Sequence, residues 1–187
     1  MKHRIIATIT TLLALTFSMP AWAAGSHYVG LGAGAINLGN GLNKKAVFGS
    51  YLQIGHHFSE YFGAEVRLGA TASQTSNLPT PAKQRMDFVA HYLKPQYPFT
   101  TNLTGYALIG FAVVHTTYQP TGGTKQSKNR IGYAYGLGLD YQLNDDYSAG
   151  IEWSHMLSKP KNTAATISTN FKGLEASLFT AAVRYHF

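Results

Sequence analysis

Apolar and polar positions alternate with a period of two along most of the chain beyond residue 26. That period marks β-strands whose two faces meet different surroundings. In the segment His27 to Ile36, Val29, Leu31, Ala33 and Ala35 oppose Gly30, Gly32 and Gly34. From Val47 to Phe58, Phe48, Leu52, Ile54 and Phe58 oppose Gly49, Tyr51, Gln53, Gly55 and His57. From Phe62 to Ser73, Ala64, Val66, Leu68 and Ala70 oppose Glu65, Arg67, Gly69 and Thr71. The clearest run, Ile131 to Leu143, sets three tyrosines, three leucines and an isoleucine against Gly132, Ala134, Gly136, Gly138, Asp140 and Gln142. Tyr147 to Ser154 and Phe179 to Phe187 alternate in the same way. Two segments are less regular. Met86 to Tyr97 contains Lys94 and Pro95, and Leu103 to Tyr118 is apolar on both faces, so its register stays open. Proline cannot donate to a ladder, which predicts Pro95 near a rim where pairing ends.

A soluble sandwich turns its large apolar face inward and a charged face outward. Here the polar face is small, rich in glycine and poor in charge, while the apolar face is large and aromatic. Small residues suit the inside of a narrow cylinder, and large ones suit lipid. Eight tilted strands of about ten residues cross the apolar band of an outer membrane, and closure satisfies every backbone group. The pattern predicts an all-β fold: an eight-stranded antiparallel up-and-down transmembrane β-barrel. Short connections at Ser59-Glu60, Pro98 to Asn102 and Asn144 to Asp146 alternate with long ones at 37–46, 74–85, 119–130 and 158–172. Short turns face the periplasm in this architecture. Aromatic girdles are expected from Phe58, Tyr61, Tyr97, Tyr141, Tyr147, Tyr185 and Phe187 below, and from Phe48, Phe88, Tyr118, Tyr133 and Trp153 above.

The first 23 residues read differently. Lys2, His3 and Arg4 precede an apolar run from Ile5 to Met19 and an Ala21-Trp22-Ala23 cleavage signal, the pattern of a secretory signal peptide. The expected division is residues 1–23 as leader and 24–187 as one barrel domain. No cysteine is present, so disulfides and thiolate metal sites are excluded.

The last strand, Ala181 to Phe187 with its terminal aromatic residue, resembles the closing strand of Gram-negative outer-membrane β-barrels. Gly136-Leu-Gly-Leu-Asp-Tyr-Gln-Leu143 followed by Ser148-Ala-Gly-Ile-Glu-Trp153 is similar to two neighbouring strands of the outer membrane protein A transmembrane domain. Tyr92 to Phe99 and Tyr106 to Gly110 look like two others. The resemblance implies an outer-membrane address and a non-enzymatic role in envelope integrity. It also implies that Phe187 belongs to the signal read by the barrel assembly machinery.

Six charges fall on the inward face by parity: Glu65, Arg67, Lys94, Asp140, Glu152 and Arg184. A small barrel interior is filled by side chains rather than left as a channel, and an unpaired buried charge costs several kcal/mol. The balanced set is therefore expected to pair and plug the bore. A gated ion path is the alternative.

Ten basic residues lie in or beside the long connections: Lys44, Lys45, Lys83, Arg85, Lys125, Lys128, Arg130, Lys159, Lys161 and Lys172. The acids near them are Asp87 and Glu175, whereas Glu60, Asp145 and Asp146 sit in the short turns. Basic clusters at that height suit the phosphates of outer-membrane lipid and lipopolysaccharide. Host surface polyanions such as sulfated glycans are a second candidate partner, and plain solvation of the lysines is the third reading. No nucleic-acid motif accompanies the basic pI of about 9.6.

Some small barrels modify lipid, so Ser154, His155, Ser158 and Glu175 form a candidate catalytic group resembling a lipid A deacylase set. The spacing departs from that family, in which the serine stands two residues after the histidine. His56 and His57 point to opposite faces, while His27 and His186 are expected to meet where the barrel closes. No metal set and no cofactor are expected, and eight small strands closing on themselves suit a monomer.

Overall fold

In the computed structural model the described residues are 26–39, 44–76, 82–156 and 175–187. The predicted leader, 1–23, lies outside them. Among the described residues every regular element is a strand: β1 (His27–Gly39), β2 (Lys44–Ser59), β3 (Phe62–Thr71), β4 (Gln74–Ser76), β5 (Ala82–Pro98), β6 (Leu103–Pro120), β7 (Gln126–Gln142), β8 (Tyr147–Met156) and β9 (Glu175–His186). Neighbours pair antiparallel in chain order, β9 pairs with β1, and β3 pairs with β5. The short β4 continues the β3 position along β5. The result is a closed eight-stranded all-antiparallel barrel.

Parity sorts the faces as the alternation requires. On β1, Tyr28 and Ile36 are fully buried while Leu31 is exposed; on β9, Leu178 and Arg184 are buried while Phe179 and Val183 are exposed. The apolar surface thus faces outward, where lipid replaces water and makes such exposure favourable. On β6 the open register resolves: Tyr106, Leu108, Ala112, Val114, Thr116 and Tyr118 face inward. On β5, Met86, Phe88, Ala90, Tyr92 and Lys94 do so. Phe88 and Tyr118 therefore fill the bore and are not part of the outer girdle.

β5 also runs past Pro95. Its pairs with β6 lapse at Lys94 and Pro95 and resume in the same register from Gln96↔Tyr106 to Pro98↔Thr104. Strand β3 still pairs there, with Phe62 opposite Pro95. The missing N–H interrupts one ladder and leaves the strand intact.

At the periplasmic end two residues link β2 to β3, and four link each of β5 to β6 and β7 to β8. In the last of these turns Asn144 Oδ1 accepts from the backbone of Asp146 at 3.0 Å and of Tyr147 at 2.9 Å, an Asx turn. At the other end β6 and β7 are joined by residues 121–125, with Gly122 at φ 73° where a left-handed turn residue is needed. The strands extend farther from the membrane than the alternation alone indicated.

Candidate functional site

Arg67 and Glu152 meet at the centre of the bore. Both guanidinium nitrogens donate to the carboxylate, Nη1 to Oε1 at 2.5 Å and Nη2 to Oε2 at 2.6 Å. Arg67 Nε donates to Glu65, on the same face of β3 two residues away. The guanidinium lies between the rings of Tyr51 and Tyr92, 4.6 and 5.1 Å from their centroids. Such bidentate, stacked geometry is specific to arginine. Arg184 forms a second centre: Nη1 donates to Asp140 at 2.7 Å and Nη2 to the Tyr106 hydroxyl at 3.0 Å. Tyr106 passes the link on, donating to Glu152 Oε2 at 2.9 Å. The six charges thus lie in one interior layer, although not as three ion pairs. Lys94 is set apart from the carboxylates; its ammonium approaches the Tyr28 hydroxyl at 3.4 Å and lies 4.3 Å from the Tyr106 ring centroid.

Parity places Tyr51 and Gln53 on the inward face but does not assign Tyr28, Tyr92 and Tyr106 to it. Tyr28 donates to Glu65 Oε2 at 2.5 Å, and Tyr51 shares a hydrogen bond with Thr180 at 3.3 Å. Gln53, with its amide oriented to satisfy both neighbours, donates to Glu65 at 3.2 Å and accepts from Arg184 Nε at 2.7 Å. Buried charges need such polar completion. The signal that locates these rings is pairwise: Tyr28 stands opposite Gly55, Tyr51 opposite Gly32, Phe88 opposite Gly69 and Tyr106 opposite Gly138. A Cβ at any of these four glycines would collide with the facing ring. The glycine-rich face is therefore the space into which large side chains fold.

This polar layer occupies the periplasmic and central parts of the bore. Toward the extracellular end the filling is apolar, with Ile36, Val47, Met86, Phe88, Val114, Met156 and Leu178 in one buried cluster.

At the periplasmic end the histidines pair otherwise than expected. His27 lies 4.4 Å from His56 on the outer face, and His57 stacks 6.1 Å from His186 on the inner face. The register explains it: His186 is opposite Tyr28, so His27 and His186 take opposite sides. No group of three metal-ligating residues occurs among the described residues.

The basic residues of the outer rim sit mainly on strands. Lys44 and Lys45 belong to β2, Lys83 and Arg85 to β5, Lys128 and Arg130 to β7, and Lys125 to the turn before β7. Lys159, Lys161 and Lys172 lie outside the described residues. Strands β5, β6 and β7 are adjacent, and their outer ends form one sheet: Lys83 is opposite Gln119, Arg85 opposite Thr117, and Lys128 opposite Thr116. Arg85 is engaged with Asp87, donating from Nε and Nη2 at 3.0 and 2.9 Å, with both side chains about half exposed.

Of the catalytic candidates, the two whose side chains are described, Ser154 and His155, take opposite faces of β8. Ser154 is fully buried in the bore, whereas His155 is on the outer face. His155 Nδ1 instead shares a 2.9 Å hydrogen bond with Ser177 on β9. Ser158 and the Glu175 side chain lie outside the described residues.

Solved structures with this architecture include Ail, the attachment invasion locus protein of Yersinia pestis, in complex with the heparin analogue sucrose octasulfate. It is 13% identical, with 88% of this chain and 100% of that chain covered and a TM-score of 0.62. Neisserial surface protein A, 12% identical with the same coverage, gives 0.67, and the N-terminal barrel domain of Pseudomonas aeruginosa OprF, also 12% identical with that coverage, gives 0.57. At such identities the likeness is one of fold. None of the curated proteins matches the sequence. The family model described as outer membrane protein beta-barrel domain matches residues 9–187, and the chain belongs to that family, whose place is the Gram-negative outer membrane.

Proposed function

We propose that the protein is a non-enzymatic, monomeric envelope protein whose plugged barrel holds a basic outer rim against phosphorylated or sulfated polyanions, lipopolysaccharide first. The observation that carries this reading is the gathering of Lys83, Arg85, Lys125, Lys128 and Arg130 at the outer end of β5–β6–β7. Lys83 and Arg85 are on its outward face and Lys128 and Arg130 on the opposite one, with Asp87 beside Arg85 as its acid. Basic side chains at headgroup height attract anionic lipid by roughly 1 kcal/mol each. Ail, a barrel of the same fold, is known bound to a heparin analogue, which supports polyanion contact as a use of this architecture. The interior layer supports a structural rather than a conducting role, because its carboxylate and guanidinium groups are engaged with one another and with the Tyr28 and Tyr106 hydroxyls inside the bore.

The test is binding of the refolded barrel to purified lipopolysaccharide across a salt series. The comparison protein has Lys125, Lys128, Arg130, Lys159 and Lys161 replaced by Gln. Binding that falls with salt and largely vanishes in the variant supports the reading, and equal binding by both refutes it.

The Ser177–His155 hydrogen bond on the outer face favours a second reading, a lipid-modifying enzyme. Mass spectra of lipid A from cells with and without the protein separate the two.

A further inference from the structure

The outward face of β3, β5, β6 and β7 changes character between two neighbouring rows of cross-strand partners. One row, Leu68, Val89, Val113 and Ile131, is wholly apolar. The next row outward, Ala70, Asp87, His115 and Asn129, brings in a carboxylate and an imidazole. Ionised side chains are expensive in hydrocarbon, so the lipid headgroups begin between these rows. Farther out, Thr117 lies between Arg85 and Ser127, and Lys83 stands opposite Gln119. His115 is therefore at headgroup height, one row below Arg85 on the adjacent strand.

The His115 ring is held by one edge. Its Nδ1 donates to Asn129 Oδ1 at 2.5 Å. An amide oxygen only accepts, so this nitrogen carries the proton and Nε2 keeps its lone pair in the neutral ring. Protonation makes Nε2 a second donor and adds a positive charge. The groups that face the ring decide what that charge does. From β5 they are Asp87 opposite, with Arg85 and Val89 on the diagonals; from β7, Asn129 opposite, with Ser127 and Ile131 on the diagonals. Its own strand contributes Val113 and Thr117. Arg85 and Asp87 are ion-paired at 2.9 Å, so their charges offset one another. A protonated His115 turns this balanced group positive, next to Lys83.

We propose that His115 is an acid-activated member of the anion-binding rim, donating from Nε2 to a phosphate or sulfate oxygen that Arg85 and Lys83 also attract. The inference rests on the polyanion reading above and adds its regulation: the protein holds the anion more tightly in acid. The outward histidine of β8, His155, provides a contrast. Its cross-strand partners are Tyr135 and Ser177, and neither is charged.

The test is binding of the refolded protein at about pH 7.5 and about pH 5.5, on either side of the range in which imidazole changes charge. Two probes are used, purified lipopolysaccharide and sucrose octasulfate; the second keeps its full charge at both values. The parent should bind both probes about fivefold more tightly in acid, the worth of one added cation at this height. His155→Gln should keep that gain. His115→Gln, which can still donate to Asn129, should lose it, while His115→Lys should bind at the higher pH as the parent does at the lower. A gain that survives in His115→Gln, or no gain in the parent, overturns the inference and leaves the polyanion reading standing. A parent that binds neither probe at either pH overturns both.

Discussion

Tyr106 on β6 stands directly opposite Gly138 on β7, and its ring lies where a side chain at 138 would begin. The hydroxyl at the far end of that ring joins Arg184 to Glu152. Gly138→Ala should therefore act at a distance, lifting the ring and parting the two charged centres. Overpacking of this kind costs about 1–3 kcal/mol. A lower urea midpoint for unfolding from lipid vesicles, with normal secretion, checks it; an unchanged midpoint would show that the ring can move aside freely.

Glu65 accepts from Tyr28 and Arg67 and lies fully buried. Glu65→Gln removes the charge while keeping the shape, so Arg67 keeps only Glu152. Breaking one side of a buried charge set costs about 3–5 kcal/mol. The expected outcome is a large loss of stability with little change in planar-bilayer current. A sharp rise in single-channel current would overturn the plugged bore.

Asp87 engages Arg85 at the outer rim. Asp87→Asn releases that guanidinium and removes the acid of the sheet extension. Exposed pairs are worth about 0.2–1 kcal/mol, so binding to lipopolysaccharide or to a sulfated glycan should strengthen, by up to about fivefold. Isothermal titration in low salt measures it, and weaker binding would place the contact elsewhere.

Phe187 closes the cylinder through its backbone, donating to His27 at 2.9 Å and accepting from it at 3.1 Å, while its ring is largely exposed. Replacing Phe187 by Ala keeps those bonds. Refolding into detergent should then proceed normally while assembly in cells falls, read by heat-modifiable gel mobility and surface labelling. Equal loss in both settings would make the ring a stability element instead of a signal.

The fold was legible because lipid on one side and a crowded bore on the other impose a strict period of two, which β1, β2, β7 and β9 obey openly. The inward charges followed from the same parity. What parity could not reach was β5 and β6, where apolar residues fill the extracellular part of the bore and both faces look alike. That ambiguity hid Tyr92 and Tyr106 and misplaced Phe88 and Tyr118. Pairing partners were hidden as well: Lys94 counts as one of three bases in sequence, yet it rests against tyrosine rings.

The interior layer draws its members from β1, β2, β3, β5, β6, β7, β8 and β9, so it also checks alignment. A slip of one residue in β3 would turn Arg67 and Glu65 out toward acyl chains, and a slip of two would carry Arg67 past Glu152 by about 7 Å. Either error leaves a naked charge in hydrocarbon or in a dry lumen, and neither is survivable at the energies involved. Mismatched closures are thereby disfavoured relative to the native one, so the contacts that fill the bore also discriminate between registers of the cylinder.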